Sequence, residues 1–138
     1  MTLDPEVVRG RCAEIEEALG RLDRLAHLSR DEFLANSEAQ ELACYRLLIA
    51  IEAALALCYH VSARRLRRAP EDYAACFRVL SDAGLIDAAL AARLQAMSRF
   101  RNLLVHMYWK LDYSRVYDIM HDHAEDLRQF AAAVAALV

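Results

Sequence analysis

A chain of 138 residues, 57% hydrophobic and 27% charged with only three Gly and two Pro, has room for one domain with a real core and little punctuation for loops. Alanine and leucine dominate and β-branched runs are nearly absent, which excludes a sheet-based fold and predicts an all-α single helical bundle over residues 1–138. The formal charge of −3 does not fit a protein that holds nucleic acid by overall positive charge, so any such surface has to arise from local clustering.

Asp4-Pro5 is a helix start, the acid as N-cap and the proline in the first turn. From there Val7, Val8, Cys12, Ile15, Leu19, Leu22 and Leu25 recur at three and four residues, one apolar stripe. "SRDEF" at 29–33 restarts a short helical turn, with Ser29 as cap and Glu32 at the capping-box position. Residues 38–66 form the longest helix, apolar nearly all round from Leu42 to Val61. So small a chain does not easily wrap such a helix, and a homodimer is the expected cover. Its stretch "LLIAIEAALALCYHV" at 47–61 is interrupted by Glu52 and falls short of a spanning length. The N-terminus is charged from the fourth residue, so neither membrane nor signal segment is expected and the location is cytoplasmic.

"RRAPED" breaks the long helix. The next runs from Glu71 to Ala83 with Gly84 as its C-terminal cap. Another starts at Asp87 and reaches at least Leu104. "KLDYS" at 110–114 is a connector, and 115–137 reads as one last amphipathic helix, making about five helices in up-and-down order. Cys12, Cys44, Cys58 and Cys76 make no CxxC pair and lie in apolar patterns. They read as buried thiols of a reducing compartment, with neither disulfides nor a metal site.

Charge is unevenly placed. "HVSARRLRR" at 60–68 holds Arg64, Arg65, Arg67 and Arg68 with no acid, and 93–115 holds Arg93, Arg99, Arg101, Lys110 and Arg115 against Asp112 alone. Helix-end caps and solvated surface are the ordinary account of such arginines; a track for an RNA backbone is the functional one.

The chemistry concentrates in "RNLLVHMYW" at 101–109, where polar groups are threaded through apolar neighbours and each needs a partner. On a helix Asn102 and His106, four apart, share a face. Arg101 and Tyr108 nearly eclipse one another, offset from His106 by roughly 140° and 160°. A straight helix therefore aims the histidine away from the arginine. Convergence requires the helix to end near Val105–His106, or a second copy of the motif to arrive from another chain.

Arg101-x4-His106-x-Tyr108 resembles the R-x4-H-x-Y signature of the HepT-like branch of the HEPN superfamily. "LLIAIEAALALCYHV", "APEDYAACFRVLSDAGLI" and "MSRFRNLLVH" resemble that family in order and spacing, so the likeness spans Asp4 to Leu137. It implies a HEPN-like bundle that dimerises and acts as a metal-independent endoribonuclease toxin of a toxin–antitoxin pair. It places catalysis on Arg101 and His106, with Asn102 as the polar residue after the arginine. It makes Tyr108 the acceptor that a minimal, MntA-like nucleotidyltransferase antitoxin modifies with AMP. No cofactor is implied. The chemistry agrees: histidine serves as acid or base near neutrality, and arginine grips phosphate through parallel donors. One motif supplies one imidazole, whereas a two-fold dimer brings two to one axis. The arginines at 64–68 and Arg99 would then draw in RNA. The alternative is a non-catalytic helical module that binds nucleotide or a nucleotidyltransferase.

Other residues read more plainly. Glu52, alone in an apolar helix, is a buried partner for an arginine, and a functional one if that arginine is Arg101. His121 and His123 of "HDH" diverge by about 200° on a helix and are surface groups. His27 and His60 stabilise the last carbonyls of their helices. Trp109 and Tyr113 read as packing aromatics, with base stacking as their functional alternative.

Overall fold

The computed structural model describes residues 2–138. It consists of α1 (Pro5–Leu25), α2 (Arg30–Leu34), α3 (Ser37–Arg65), α4 (Tyr73–Asp82), α5 (Ala88–His106), a 3-10 turn (Tyr108–Lys110), α6 (Tyr113–Asp122) and α7 (Ala124–Ala135). The helix starts follow local chemistry. Asp4, Asn36, Asp72, Asp87 and Asp112 each accept a backbone N–H of the turn that follows, and Ser29 with Glu32 closes a complete capping box. Gly84 adopts φ 76° just beyond α4, a left-handed turn that a side chain resists.

α3 is the central rod. Every other α-helix packs on it, α1 most extensively, while α4 and α5 pair as a hairpin. Phe33, Phe77, Phe130, Leu47, Leu57 and Leu94 are fully buried, and Phe77 meets Phe130 edge to face at 5.4 Å. The apolar character of α3 is therefore largely satisfied within one chain: Ala50, Ile51, Ala53, Ala54, Leu57, Cys58 and Val61 are all buried. By length and composition this 29-residue helix could cross a bilayer, so the shortfall read from residues 47–61 does not hold for the whole element. What stays outside is a short strip near its start, with Leu42 at 50% and Tyr45 at 56% exposure. The expectation that one chain cannot cover the helix narrows to that strip.

Among the described residues the bundle has seven α-helices rather than five. The 30–34 turn is a helix in its own right, and the segment read as one helix over 115–137 is broken at His123 (φ −122°, ψ −7°). The apolar stripe does not reveal the break, because Val116, Ile119, Met120, Ala124, Leu127, Phe130 and Val134 stay in phase across it. The cause is divergent anchoring. Arg30 of α2 ties down α6, donating to Ser114 Oγ at 2.7 Å and to Asp118 at 2.6 Å. Its guanidinium holds the Asp118 carboxyl below the usual carboxylate range. α7 is held elsewhere, by Asp126 to Arg93 of α5 at 2.9 Å and by Arg128 to Glu16 of α1 at 3.3 Å. The His123 carbonyl then accepts from Asp126 N–H three residues on, and the chain turns.

The thiols divide. Cys58 and Cys76 are buried as expected, but Cys12 and Cys44 are only partly so. Burial still pushes the Cys44 thiol up to about 11. His60 differs from its reading too. Rather than meeting a helix-end carbonyl, its Nε2 accepts the Asp4 N–H at 3.0 Å and pins the start of α1. His27 keeps the reading, its Nδ1 2.7 Å from the Asp23 carbonyl.

Candidate active site

α5 ends at His106. Met107 (φ −139°, ψ 40°) leaves the helical region and Tyr108 begins the 3-10 turn. Helix termination is one of the two conditions for convergence, but it does not complete a site within the chain. Arg101 points inward and His106 outward.

Arg101 is held on three sides. Its Nε donates to Glu52 Oε1 of α3 at 2.5 Å, its guanidinium lies 5.0 Å from the centre of the Tyr73 ring of α4, and Nη1 is 3.4 Å from Asn102 Oδ1. Such a clamp fixes the plane of the guanidinium through Nε and one face. Among the described residues Nη2 has no partner, and Nη1 has only the long contact to Asn102, so this edge is turned toward an anion. Glu52 is thus the arginine's partner, as the sequence suggested, but the burial is reversed. The Arg101 side chain is 16% exposed and that of Glu52 43%. The acid reaches inward from a wet edge, and the cation is the sheltered group.

His106 and Asn102 lie on the solvent-facing side of α5 and are both exposed. Among the described residues His106 makes no side-chain hydrogen bond. Tyr108 is 66% and Trp109 67% exposed, with their rings edge to face at 5.5 Å. Trp109 is therefore not a packing residue. The 3-10 turn swings it away from the bundle, whereas Tyr113 packs against the core.

The arginines of 60–68 do not join this centre. α3 and α5 run antiparallel: Leu48 lies beside Leu104 and Tyr108 in one cleft, and Glu52 beside Arg101. At 1.5 Å per residue, Arg64 is therefore roughly 24 Å beyond the level of Leu48, at the opposite end of the rod. Arg64, Arg65, Arg67 and Arg68 are exposed there, and Arg67, just past the C-cap Leu66, has φ 53°. Arg99 is exposed two residues before Arg101, while Arg93 is engaged with Asp126. His121 is exposed and contacts the carbonyls of Tyr117 and Ala26, and His123 contacts Asp126. Among the described residues no three His, Cys, Asp or Glu side chains converge as a metal site.

The family model for HepT-like ribonucleases matches residues 15–134. The chain belongs to that family. It is 23% identical over 131 residues to the mRNA nuclease HepT of Shewanella oneidensis, covering 95% of this chain and 98% of that protein. Among solved structures, the tri-AMPylated HEPN toxin of Shewanella oneidensis, in complex with an MNT antitoxin, superposes with a TM-score of 0.87. It has 23% identity and covers 94% of this chain and 97% of that one. The cytosolic protein of unknown function YutE from Bacillus subtilis gives a TM-score of 0.84 at 17% identity, over 99% and 92% of the two chains.

In this HepT-like chain the sequence offers the motif residues through their resemblance to the family signature; it gives no sign of the Tyr73 support. Tyr73 lies 28 residues before Arg101 in another helix, and no local pattern marks it. Glu52 had a signal, a lone acid in an apolar run, that suggested an arginine partner and raised Arg101 only as a condition.

Proposed function

We propose that this HepT-like protein is a cytoplasmic endoribonuclease toxin that works as a homodimer, with Arg101 and His106 of both chains forming one shared cleft. The observation that carries the reading is the clamp on Arg101. A guanidinium fixed by Glu52 and Tyr73, with Nη2 unspent, is a prepared phosphate grip on the same helix as an exposed imidazole. A lone chain turns the two catalytic groups apart. A two-fold partner using the strip of Leu42, Tyr45 and Val105 sets a second pair opposite.

In the cleft, one His106 takes the proton from an RNA 2′-OH as that oxygen forms its bond to phosphorus. The bond to the 5′-oxygen breaks, and the His106 of the other chain, protonated, returns a proton to that leaving oxygen. The Arg101 pair meets the charge that builds on the phosphorane. The products are a 2′,3′-cyclic phosphate and a 5′-hydroxyl, with protons and electrons balanced and no metal required. Asn102, beside the arginine, orients it. Arg99, seven residues before His106 and so nearly on the same face of α5, would hold a neighbouring phosphate. Arg64, Arg65, Arg67 and Arg68, at the far end of α3, serve only an RNA long enough to run the length of the bundle.

Silencing is assigned to a minimal, MntA-like nucleotidyltransferase antitoxin. The Tyr108 phenol oxygen attacks the α-phosphorus of ATP, its proton leaves to solvent, and pyrophosphate departs. The exposure of Tyr108, two residues past His106, supports that assignment. The test is cleavage of labelled RNA by wild type, Arg101→Ala and His106→Ala, with light scattering on each. Both variants should stay dimeric and lose cleavage, and wild type should cut in the presence of a chelator. A stable wild-type monomer, a chelator block or normal cutting by His106→Ala would refute the shared metal-free site. The alternative, a non-catalytic module for a nucleotide or nucleotidyltransferase, predicts no cleavage by any form.

A further inference from the structure

We infer that the indole of Trp109 is the stacking platform for an unpaired RNA base beside the phosphate that Arg101 grips. The inference rests on the ribonuclease reading above and adds how the substrate strand is seated. Trp109 is 67% exposed, and the backbone holds it there. Lys110 N–H donates to the Met107 carbonyl at 2.8 Å and Leu111 N–H to that of Tyr108 at 3.3 Å, while Leu104 and Leu111 on either side pack against the core. The turn is short and anchored at both ends. The Tyr108 ring meets the indole at 78°, so the two do not stack flat, and a face of the indole stays in water. Trp109 follows His106 by three residues, which limits their Cα separation to about 11 Å. A base on the indole is then within a nucleotide or two of the reacting phosphate.

The surroundings select the occupant. A protein partner buries a patch with an apolar centre. Over residues 106–112 the exposed groups other than the two aromatics are His106, Lys110 and Asp112, a polar and charged setting. A nucleotide matches it, with an apolar ring face and an anionic phosphate. The nearby acids are engaged or offset. Asp112 accepts the Ser114 N–H at the start of α6, where the helix dipole counters its charge, and Glu52 holds Arg101. Glu41 shares a cleft with Tyr108 and Leu111, but Arg46 stands over the Tyr45 ring of that cleft, which therefore carries both signs. Arg99, Arg101 and Lys110 are left to hold phosphates while a neutral base lies on the indole. The platform favours purines modestly, by stacking strength alone.

Trp109 is the only tryptophan of the chain, so indole fluorescence reports on this ring alone. The experiment titrates full-length wild type, unmodified at Tyr108 by peptide mass, with 2′-O-methyl RNA oligomers, which lack the attacking hydroxyl. Adenine, uracil and abasic chains of equal length are compared. Adenine chains should quench the indole strongly, uracil chains less and abasic chains not at all. By anisotropy of labelled oligomers, Trp109→Ala should bind the adenine chain roughly tenfold more weakly, the effect of losing one base–aromatic stack. It should bind the abasic chain as wild type does and keep the wild-type salt slope, because no phosphate contact is lost. Trp109→Phe should recover most of the affinity. Equal quenching by abasic and adenine chains, or equal affinity of wild type and Trp109→Ala for adenine chains, would overturn the platform while leaving RNA cleavage standing. Failure of wild type both to bind any chain and to cut RNA would overturn the two together. A monomeric Trp109→Ala beside a dimeric wild type, or loss of its antitoxin binding with RNA affinity unchanged, would assign the ring to a protein partner and overturn the platform.

Discussion

Removing the Glu52 carboxylate tests whether the clamp on Arg101 serves catalysis or merely packing. The ion pair is half wet, since the Glu52 side chain is 43% exposed and that of Arg101 16%. Exposed pairs contribute about 0.2–1 kcal/mol and stranding a fully buried partner costs about 3–5 kcal/mol. With solvent at one end and the Tyr73 ring still 5.0 Å from the cation, Glu52→Ala should lower stability by about 1 kcal/mol. Its effect on turnover should be larger. A guanidinium released at Nε loses its fixed plane, and misplacing a catalytic group by about 1 Å costs roughly a hundredfold. Glu52→Ala should therefore reduce the single-turnover cleavage rate between about tenfold and a hundredfold with little change in RNA affinity. Glu52→Gln retains an oxygen for the Nε–H and should stay within a few-fold of wild type. Urea melts and single-turnover cleavage of a labelled RNA measure both effects. If Glu52→Ala cleaves at the wild-type rate, or if its loss is entirely in RNA affinity, positioning through Glu52 is wrong.

Tyr108→Phe should keep most of the ribonuclease activity and escape silencing when the nucleotidyltransferase and ATP are supplied, with peptide mass spectrometry finding AMP on the wild-type peptide alone. Full silencing of the variant would reduce this tyrosine to a bystander. His60 should make the fold less stable toward acid. Burial first, and the neighbouring Arg64 second, depress its proton affinity below the ordinary histidine value. As pH falls the unfolded chain therefore takes up the proton before the folded one does. The stability His60 supplies is complete above its unfolded value of about 6.5 and is lost as pH drops through the lower folded value. Urea melts at about pH 7.5 and about pH 5.5 should show a smaller difference for His60→Gln than for wild type, and an unchanged difference would refute the linkage.

The sequence by itself determined what depends on neighbours a few residues away. Asp4, Ser29 with Glu32, Asp87 and Gly84 set helix ends because caps act within one turn. The motif at 101–108 could be read as a run resembling a family signature, but α5 ends at His106 and Tyr108 lies in the 3-10 turn, which its spacing did not show. The tertiary structure alone decided where independent forces meet. The apolar stripe runs unbroken through His123, and only the separate ties of Asp118 to Arg30 and Asp126 to Arg93 break the helix there. Apolarity all round α3 could not distinguish a rod buried by its own chain from one awaiting a partner, because composition records that a face is covered and not by whom. Glu52 and Arg101 are 49 residues apart in the chain, and Trp109 turns outward only because Met107 leaves the helix. Periodicity fixes which side chains share a face. Which face meets which is set by packing the whole chain at once, since burial of apolar surface has no direction of its own.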